Sequence, residues 1–491
     1  MRENELPQSK PDGFASSLGE GASGVPANLA LTPETANPSG ETVVQKRPQA
    51  FLNHKYKNIF PLNMARAQAE VIPNRPAPAL QSFSRNDTIR PNRNAPLPGF
   101  PVREKEANHM SMNTVPERLA ALRAAMAANG VAVYLIPVGD PHASEYLPCH
   151  YTSLTWFSGF HGENSNFVVT RTESALWADG RYFVQAEKEI AGTEIKLQRM
   201  GEPGVPTVEE YCANALNEGE ALGLCGLTAS TALVNDLKKA LEKKGASIKT
   251  LNLEDELWTE GRPALPDTPA WILPKEYAGF SPAEKLDQLR SKLKELGCTA
   301  QFVGKLDNLA WLLNLRAMDI ECTPYAMAYC YVTPSRAVLF INTARVTPEA
   351  KAELEANGIT LAEYDDVLKF LAAETEPQTV LAECSTVNYA VYQVLEQNPA
   401  LTVKDGTDPL LMMKGVKNET ELAHTKQAHI RDAVAMVRFQ IELESRLAAG
   451  ETLTELTVDE ILHKYRSADD KFLVESFGTI AAYGGNAAMM H

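Results

Sequence analysis

The chain has seven cysteines, Cys149, Cys212, Cys225, Cys298, Cys322, Cys330 and Cys384, and no two of them form a CxxC pair. An odd number without close pairs fits neither a disulfide framework nor a zinc knuckle, so reduced thiols in a reducing compartment are expected. No apolar run approaches the roughly 18 residues that span a bilayer. The longest, Val131 to Val138, contains Pro137 and reads as a buried strand. Met1-Arg2-Glu3-Asn4-Glu5 leads into no apolar core of a signal peptide, and a cytoplasmic location is the expectation. Basic charge is short as well: 47 Lys+Arg against 62 Asp+Glu leaves −15. That balance argues against nucleic acid and anionic membrane as partners. HExxH, GxSxG, a Walker loop and a strand-bound GxGxxG are all missing.

What remains is an ordinary globular composition, 44% hydrophobic and 22% charged over 491 residues. Such a length predicts roughly three domains at about 150 residues each. The first 111 residues are of a different kind. They hold 14 of the 31 prolines and carry 13 Lys+Arg against 10 Asp+Glu, +3, whereas the remainder carries 34 against 52, −18. With no sustained period of 3.6 or 2, residues 1–111 bury too little apolar surface to offset their ordering entropy, and disorder is expected. Two other readings stay open: translation starting at Met110 or Met112, or a proline-rich ligand for a partner domain.

From Pro116 the periodicity is helical. Leu119, Leu122, Ala125 and Met126 share one face of Glu117 to Asn129, Gly130 ends the helix, and Val131 to Pro137 follows as a strand. The same order returns 167 residues on, from Arg118 to Lys285. Arg118-Leu-Ala-Ala-Leu-Arg-Ala-Ala-Met126 aligns with Lys285-Leu-Asp-Gln-Leu-Arg-Ser-Lys-Leu293, and Gly130 aligns with Gly297. Cys298 to Val303 then repeats the strand, and a tryptophan follows in each copy, Trp156 and Trp311. Two α/β domains of like design are expected, over 112–270 and 271–408. Between them Thr268-Pro-Ala-Trp-Ile-Leu-Pro274 reads as an extended linker, because residues preceding proline avoid the helical region. A third unit begins near Pro409. Asn418 and Glu421 make a capping box, helix is expected to about Leu447 and again over Thr457 to Tyr465, and Phe472 to Ile480 reads as a strand or extended arm.

Few residues announce chemistry. His424 and His429 lie five apart, about 500° along a helix, and so point away from one another. Trp177-Ala-Asp179-Gly180-Arg181-Tyr182-Phe183 reads as a strand ending in a turn, with Arg181 free to be a solvated arginine or a contact for a carboxylate or carbonyl. Asp307 to Arg316 is mostly apolar at helical spacing and reads as core. Gly484-Gly485-Asn486 is a flexible stretch ahead of His491.

Taken in order these pieces are more specific than each is alone. Gly139-Asp140-Pro141-His142-Ala143-Ser144-Glu145-Tyr146, Phe157-Ser158-Gly159-Phe160 and Trp177 to Phe183 are followed by Asp307 to Arg316 and Lys414-Gly415-Val416-Lys417-Asn418. Ala428 to Val434 and Ser476 to Ile480 complete the series, running to Asn486 and His491. Over residues 112–491 the series resembles the large, three-domain form of aminopeptidase P. That family belongs to the creatinase/methionine-aminopeptidase superfamily and cuts the bond before a proline in second position. The resemblance implies an α/β fold of two tandem creatinase-like N-terminal domains followed by the start of an α+β pita-bread catalytic domain, here 409–491. It also implies substrate-contact roles for Arg181 and His491, a peptide substrate with proline second, and possible homodimers. The family's two divalent ions, Mn or else Zn or Co, are held by two aspartates, a histidine and two glutamates. By the resemblance all five would lie beyond His491, so no catalytic residue and no metal ligand is expected in this sequence. An incomplete chain, inactive alone, is the resulting expectation. The alternatives are a non-catalytic binding or oligomerisation module on the same scaffold, and a prolidase- or creatinase-like hydrolase, which the doubled N-terminal domain disfavours. His161 to Asn166 departs from the family's short Gly/Ser/Ala run, which leaves the role of that loop open.

Overall fold

The computed structural model describes residues 114–488. The first lobe runs α1 (Val115–Ala128), β1 (Val133–Pro137), α2 (Ser153–Ser158), β2 (Asn166–Thr170), β3 (Ser174–Ala178), α3 (Phe183–Glu189) and β4 (Lys196–Arg199), then α4 (Val208–Asn214), β5 (Ala221–Leu224), α5 (Thr231–Glu242), β6 (Ser247–Thr250) and α6 (Leu253–Leu257). The second runs β7 (Trp271–Ile272), α7 (Lys275–Ala278), α8 (Pro282–Glu295), β8 (Ala300–Val303), α9 (Leu306–Leu312), β9 (Leu315–Arg316), β10 (Tyr329–Val332) and β11 (Ala337–Phe340). It closes with α10 (Pro348–Ala356), β12 (Ile359–Ala362), α11 (Val367–Ala372), β13 (Gln378–Ala382), α12 (Tyr389–Gln397) and β14 (Leu401–Asp405).

The internal repeat is a repeat of topology. The first sheet is ordered β4-β3-β2-β1-β5-β6 and the second β12-β11-β10-β8-β13-β14. In both, the outer pair on each side is parallel, the central strand is antiparallel to one neighbour and parallel to the other, and the order of these senses is the same. The local causes repeat too. Thr114 and Ser281 each close a capping box with a glutamate three residues on, Glu117 and Glu284, and a proline occupies the first turn. Gly130 and Gly297 follow the helices at φ +62° and +67°, a conformation that side chains with a Cβ avoid. The central strands β1 and β8 are buried at every position, as strands covered by helices on both faces must be.

The expected linker is extended, but it is tied into the second lobe. Ala270 is wholly buried there, Ala270 N–H donates to Arg345 O (2.8 Å), and β7 pairs antiparallel with β9. A buried ion pair between Arg345 and Asp319 holds this strap. Arg345 also donates to Thr268 O, and the Thr268 hydroxyl donates to Asp319 Oδ1 at 2.6 Å.

The lobes meet through matching helix starts. Thr231 N–H donates to Val387 O (3.0 Å) and Tyr389 N–H to Ala229 O (2.9 Å), a reciprocal pair across a local pseudo-twofold. Ser230 and Asn388, which cap α5 and α12, bridge one another there. Beside them His142 is fully enclosed, with Nδ1 2.8 Å from Gly304 O and Nε2 2.8 Å from the Tyr364 hydroxyl.

Beyond the second sheet, α13 (Pro409–Gly415) packs onto that lobe. Leu410 belongs to its core, and Lys414 pairs with Asp307 and donates to Asn308. The capping box at Asn418 and Glu421 opens α14 (Glu419–Ala448), and α15 (Glu455–Arg466) folds back on it. Phe472 to Ile480 forms no strand; it is an irregular arm over these helices. Only Ala435, Ile461 and Leu462 are buried on the two helices, while Ile430, Val434, Val437 and Ile441 stay about half exposed or more.

Candidate functional site

Arg181 stands at the carboxyl end of β3, a strand buried at all five positions. Its burial fixes where the chain must leave the sheet, and Asp179 and Gly180 make the turn. Tyr182 N–H closes it on Asp179 O (3.0 Å), and Arg181 N–H donates to Asp179 Oδ1 (2.9 Å), an Asx turn. The guanidinium folds back on the same carboxylate, with Nη2 2.7 Å from Oδ2 and Nε 3.1 Å from Oδ1. Asn164 Nδ2 donates to Oδ2 as well, at 2.9 Å. Chiefly through the Arg181 hydrogen bonds, the Asp179 carboxyl is held at about 2. Arg181 is one-third exposed and lies against the Tyr182 ring, so its charge is aimed and still reachable.

The loop from Gly159 to Ser165 forms one wall of this turn. Gly159 ends α2 at φ +77°, and Phe160 meets Tyr182 edge-on at 6.1 Å. A Cβ on Gly162 would stand 2.2 Å from the Phe160 ring, so only glycine passes there. The Tyr182 hydroxyl donates to Glu163, and His161 N–H donates to Glu189 Oε2 at 2.9 Å. The residues that depart from the family's usual run thus supply contacts to the Arg181 turn.

His491 lies outside the described residues, so nothing places it beside Arg181. His424 docks on the second lobe, with Nε2 3.1 Å from Glu276 O and its ring against Tyr277. His429 lines an open cavity of about 490 Å³ between α14, α15 and the arm, among Arg431, Asp432, Asp469 and Glu475. Of Asp307 to Arg316, the part to Leu312 is core helix, whereas Asn314 turns the chain at φ +53° and Leu315–Arg316 is strand β9; Trp311 also donates to Glu421 Oε1 (2.9 Å), tying α14 to the second lobe. Sequence reasoning assigned no role to the enclosed His142, although the run Gly139 to Tyr146 marked the place.

Among the described residues no group of three or more His, Cys, Asp or Glu converges as a metal would require. These residues therefore do not fit a dinuclear centre. No described helix is long and apolar enough to cross a membrane.

Residues 118–257 and 261–421 each match the creatinase/prolidase N-terminal domain. Two such domains in tandem define the class. Aminopeptidase P2 of Arabidopsis thaliana is 34% identical over 409 residues, covering 77% of this chain and 58% of its own length. A probable Xaa-Pro aminopeptidase P of Sordaria macrospora is 35% identical, covering 78% of this chain and 64% of its own. The crystal structure of the X-prolyl aminopeptidase of Caenorhabditis elegans, described as a cytosolic enzyme with a di-nuclear active site, superposes with a TM-score of 0.72 at 31% identity. It covers 78% of this chain and 64% of that one. The chain belongs to the aminopeptidase P group of the creatinase/prolidase family, and it spans about three-fifths of the length of these relatives.

Proposed function

We propose that the chain supplies the paired N-terminal domains, and the first helices of a pita-bread catalytic domain, to an Xaa-Pro aminopeptidase. Such an enzyme removes an N-terminal residue that precedes proline, in the cytoplasm. The observation that carries this is the Arg181 turn, which presents an oriented, reachable guanidinium on a family-typical scaffold. Arg181 contacts the substrate peptide, with Asp179 holding it ready, and His491 takes the companion role. The division of the chain is 1–111, 112–270, 271–408 and 409–491, with α13 belonging physically to the second lobe. Metal dependence on two ions, Mn or else Zn or Co, follows from the di-nuclear relative. No group of described residues could hold them. A homodimer is part of the same reading.

The second reading is a peptide-binding module without catalysis, in which the Arg181 turn holds the peptide and no reaction follows. One experiment tests the Arg181 contact that both readings share. The chain and its Arg181→Ala variant are given a labelled Arg-Pro-Pro peptide with Mn²⁺, and binding and hydrolysis are both followed. The expected outcome is no hydrolysis by this chain alone, with binding weakened about tenfold or more in the variant, the loss of a charge-assisted contact. Hydrolysis would overturn the inactivity of this chain. Equal binding by both proteins would remove Arg181 from the site.

A further inference from the structure

Strands β2 and β3 pair antiparallel, with Asn166 opposite Trp177. Carried past the ends of both strands, that register sets Asn164 opposite Asp179 at the mouth of the hairpin. Asn164 holds φ +45°, a left-handed conformation that asparagine takes more readily than most residues with a Cβ. From there its Nδ2 donates to Asp179 Oδ2 at 2.9 Å. The next residue is anchored: Ser165 is buried, and its carbonyl accepts from Val138 N–H at 3.0 Å.

Among the described residues, every other donor to the Asp179 carboxylate belongs to Arg181. Those bonds close within the turn itself, so the turn can tilt as one body without breaking any of them. Asn164 belongs to another segment, 15 residues earlier, and its bond breaks when the turn tilts. The Tyr182 hydroxyl also reaches this loop, on Glu163 at 3.3 Å, but it bears on the neighbouring ring and not on the carboxylate. The chemistry of the amide suits the place. A lysine or arginine here would compete with Arg181 for Asp179, and a carboxylate would repel it, whereas the amide donates without adding charge.

We infer that Asn164 is a positioning residue for peptide recognition: through Asp179 it holds the Arg181 guanidinium at the angle that meets a carbonyl or carboxylate of the peptide. The inference rests on the reading of Arg181 as a substrate contact. A guanidinium already held at that angle loses less freedom when the peptide docks, so the contribution of Asn164 shows in affinity. Asn164 is one of the residues that depart from the family's usual run, and its role is a feature of this chain.

Binding of a labelled Arg-Pro-Pro peptide by the full chain, Arg181→Ala, Asn164→Gly and Asn164→Asp tests this, with the melting of each protein recorded. Asn164→Gly keeps the left-handed backbone and removes only the amide. It is expected to bind about fivefold more weakly at an unchanged melting temperature. Asn164→Asp sets a second carboxylate against Asp179 and is expected to lose at least as much. The Arg181 Nε–H signal in nuclear magnetic resonance, assigned by its absence from Arg181→Ala, reads the clamp without peptide. It is expected to shift in Asn164→Gly and to exchange faster with water. Equal binding, or none, by the unaltered chain and Arg181→Ala would overturn the reading of Arg181 and this inference with it. Weakened binding by Arg181→Ala beside full binding by Asn164→Gly would overturn the inference alone. So would a melting temperature of Asn164→Gly lowered by more than ~2 °C, which marks a merely structural role.

Discussion

Tyr134 is wholly buried on β1, and three groups meet its hydroxyl. Leu253 N–H donates to it (3.1 Å), while Leu251 O (2.9 Å) and Glu254 Oε2 both stand where they need a hydrogen from it. One phenolic hydrogen serves one of them. The arrangement closes if Glu254 is a neutral acid donating to Tyr134, which in turn donates to Leu251 O. Burial pushes the Glu254 carboxyl to about 7 from 4.5, with Asp255 adding to the rise and Tyr134 and Arg262 opposing it. Because the folded state keeps its proton while the unfolded chain loses it, stability falls as pH rises from about 4.5 to about 7. The loss is on the order of 3 kcal/mol. Urea unfolding at pH 5 and pH 8 should show it, and Glu254→Gln should flatten most of the difference. An equal pH dependence in that variant would contradict the assignment. None of this is legible in the sequence, since Tyr134 and Glu254 are 120 residues apart and belong to no shared motif. Arg181 is the opposite case, since an Asp-Gly turn after an apolar run already says that the next side chain leaves the sheet.

Among the elements, the strap over Thr268 to Ile272 shows where pattern ends and packing begins. Its prolines announce an extended course, but not what it is tied to. That is decided by Asp319 and Arg345, whose side chains are 0% and 4% exposed and which the second lobe brings together. Removing one partner leaves the other charge buried and alone, so Asp319→Ala should cost about 3–5 kcal/mol. Thermal melting tests this, and a shift of under about 1 °C would show the pair to be dispensable. Helix α14 illustrates the same limit. The capping box at Asn418 and Glu421 was readable, whereas its anchorage was not. Asn418 Nδ2 donates to Ala278 O (3.0 Å) and Glu421 accepts from Trp311, contacts made across more than 100 residues.

For the whole molecule the contrast lies between two lobes with large cores and a C-terminal part with almost none. The sequence alone suggests a boundary near Pro409 and proteolytic trimming to about residue 410. Leu410 in the second core, Lys414 on Asp307 and His424 on Glu276 carry the anchored region further along α14. Limited trypsin digestion is therefore expected to trim the chain within α14, at Lys426, Arg431 or Arg438, where apolar side chains are exposed and few contacts restrain the helix. Mass spectrometry of the resistant fragment checks this. Survival of α15 in the resistant core would show the helical pair to be stable as it stands.

The sequence by itself determined the duplicated α/β design, the starts and ends of the repeated helices, and the turn that carries Arg181. These depend on local spacing, on caps and on the handedness that glycine permits, all of which act within a few residues. Tertiary structure alone decided the pseudo-twofold joint, the enclosed His142, the burial of Glu254 against Tyr134 and the unpaired oxygen of Asp140. Each arises where groups far apart in the chain are pressed together out of water, and there the cost of burying charge selects what the partners must be.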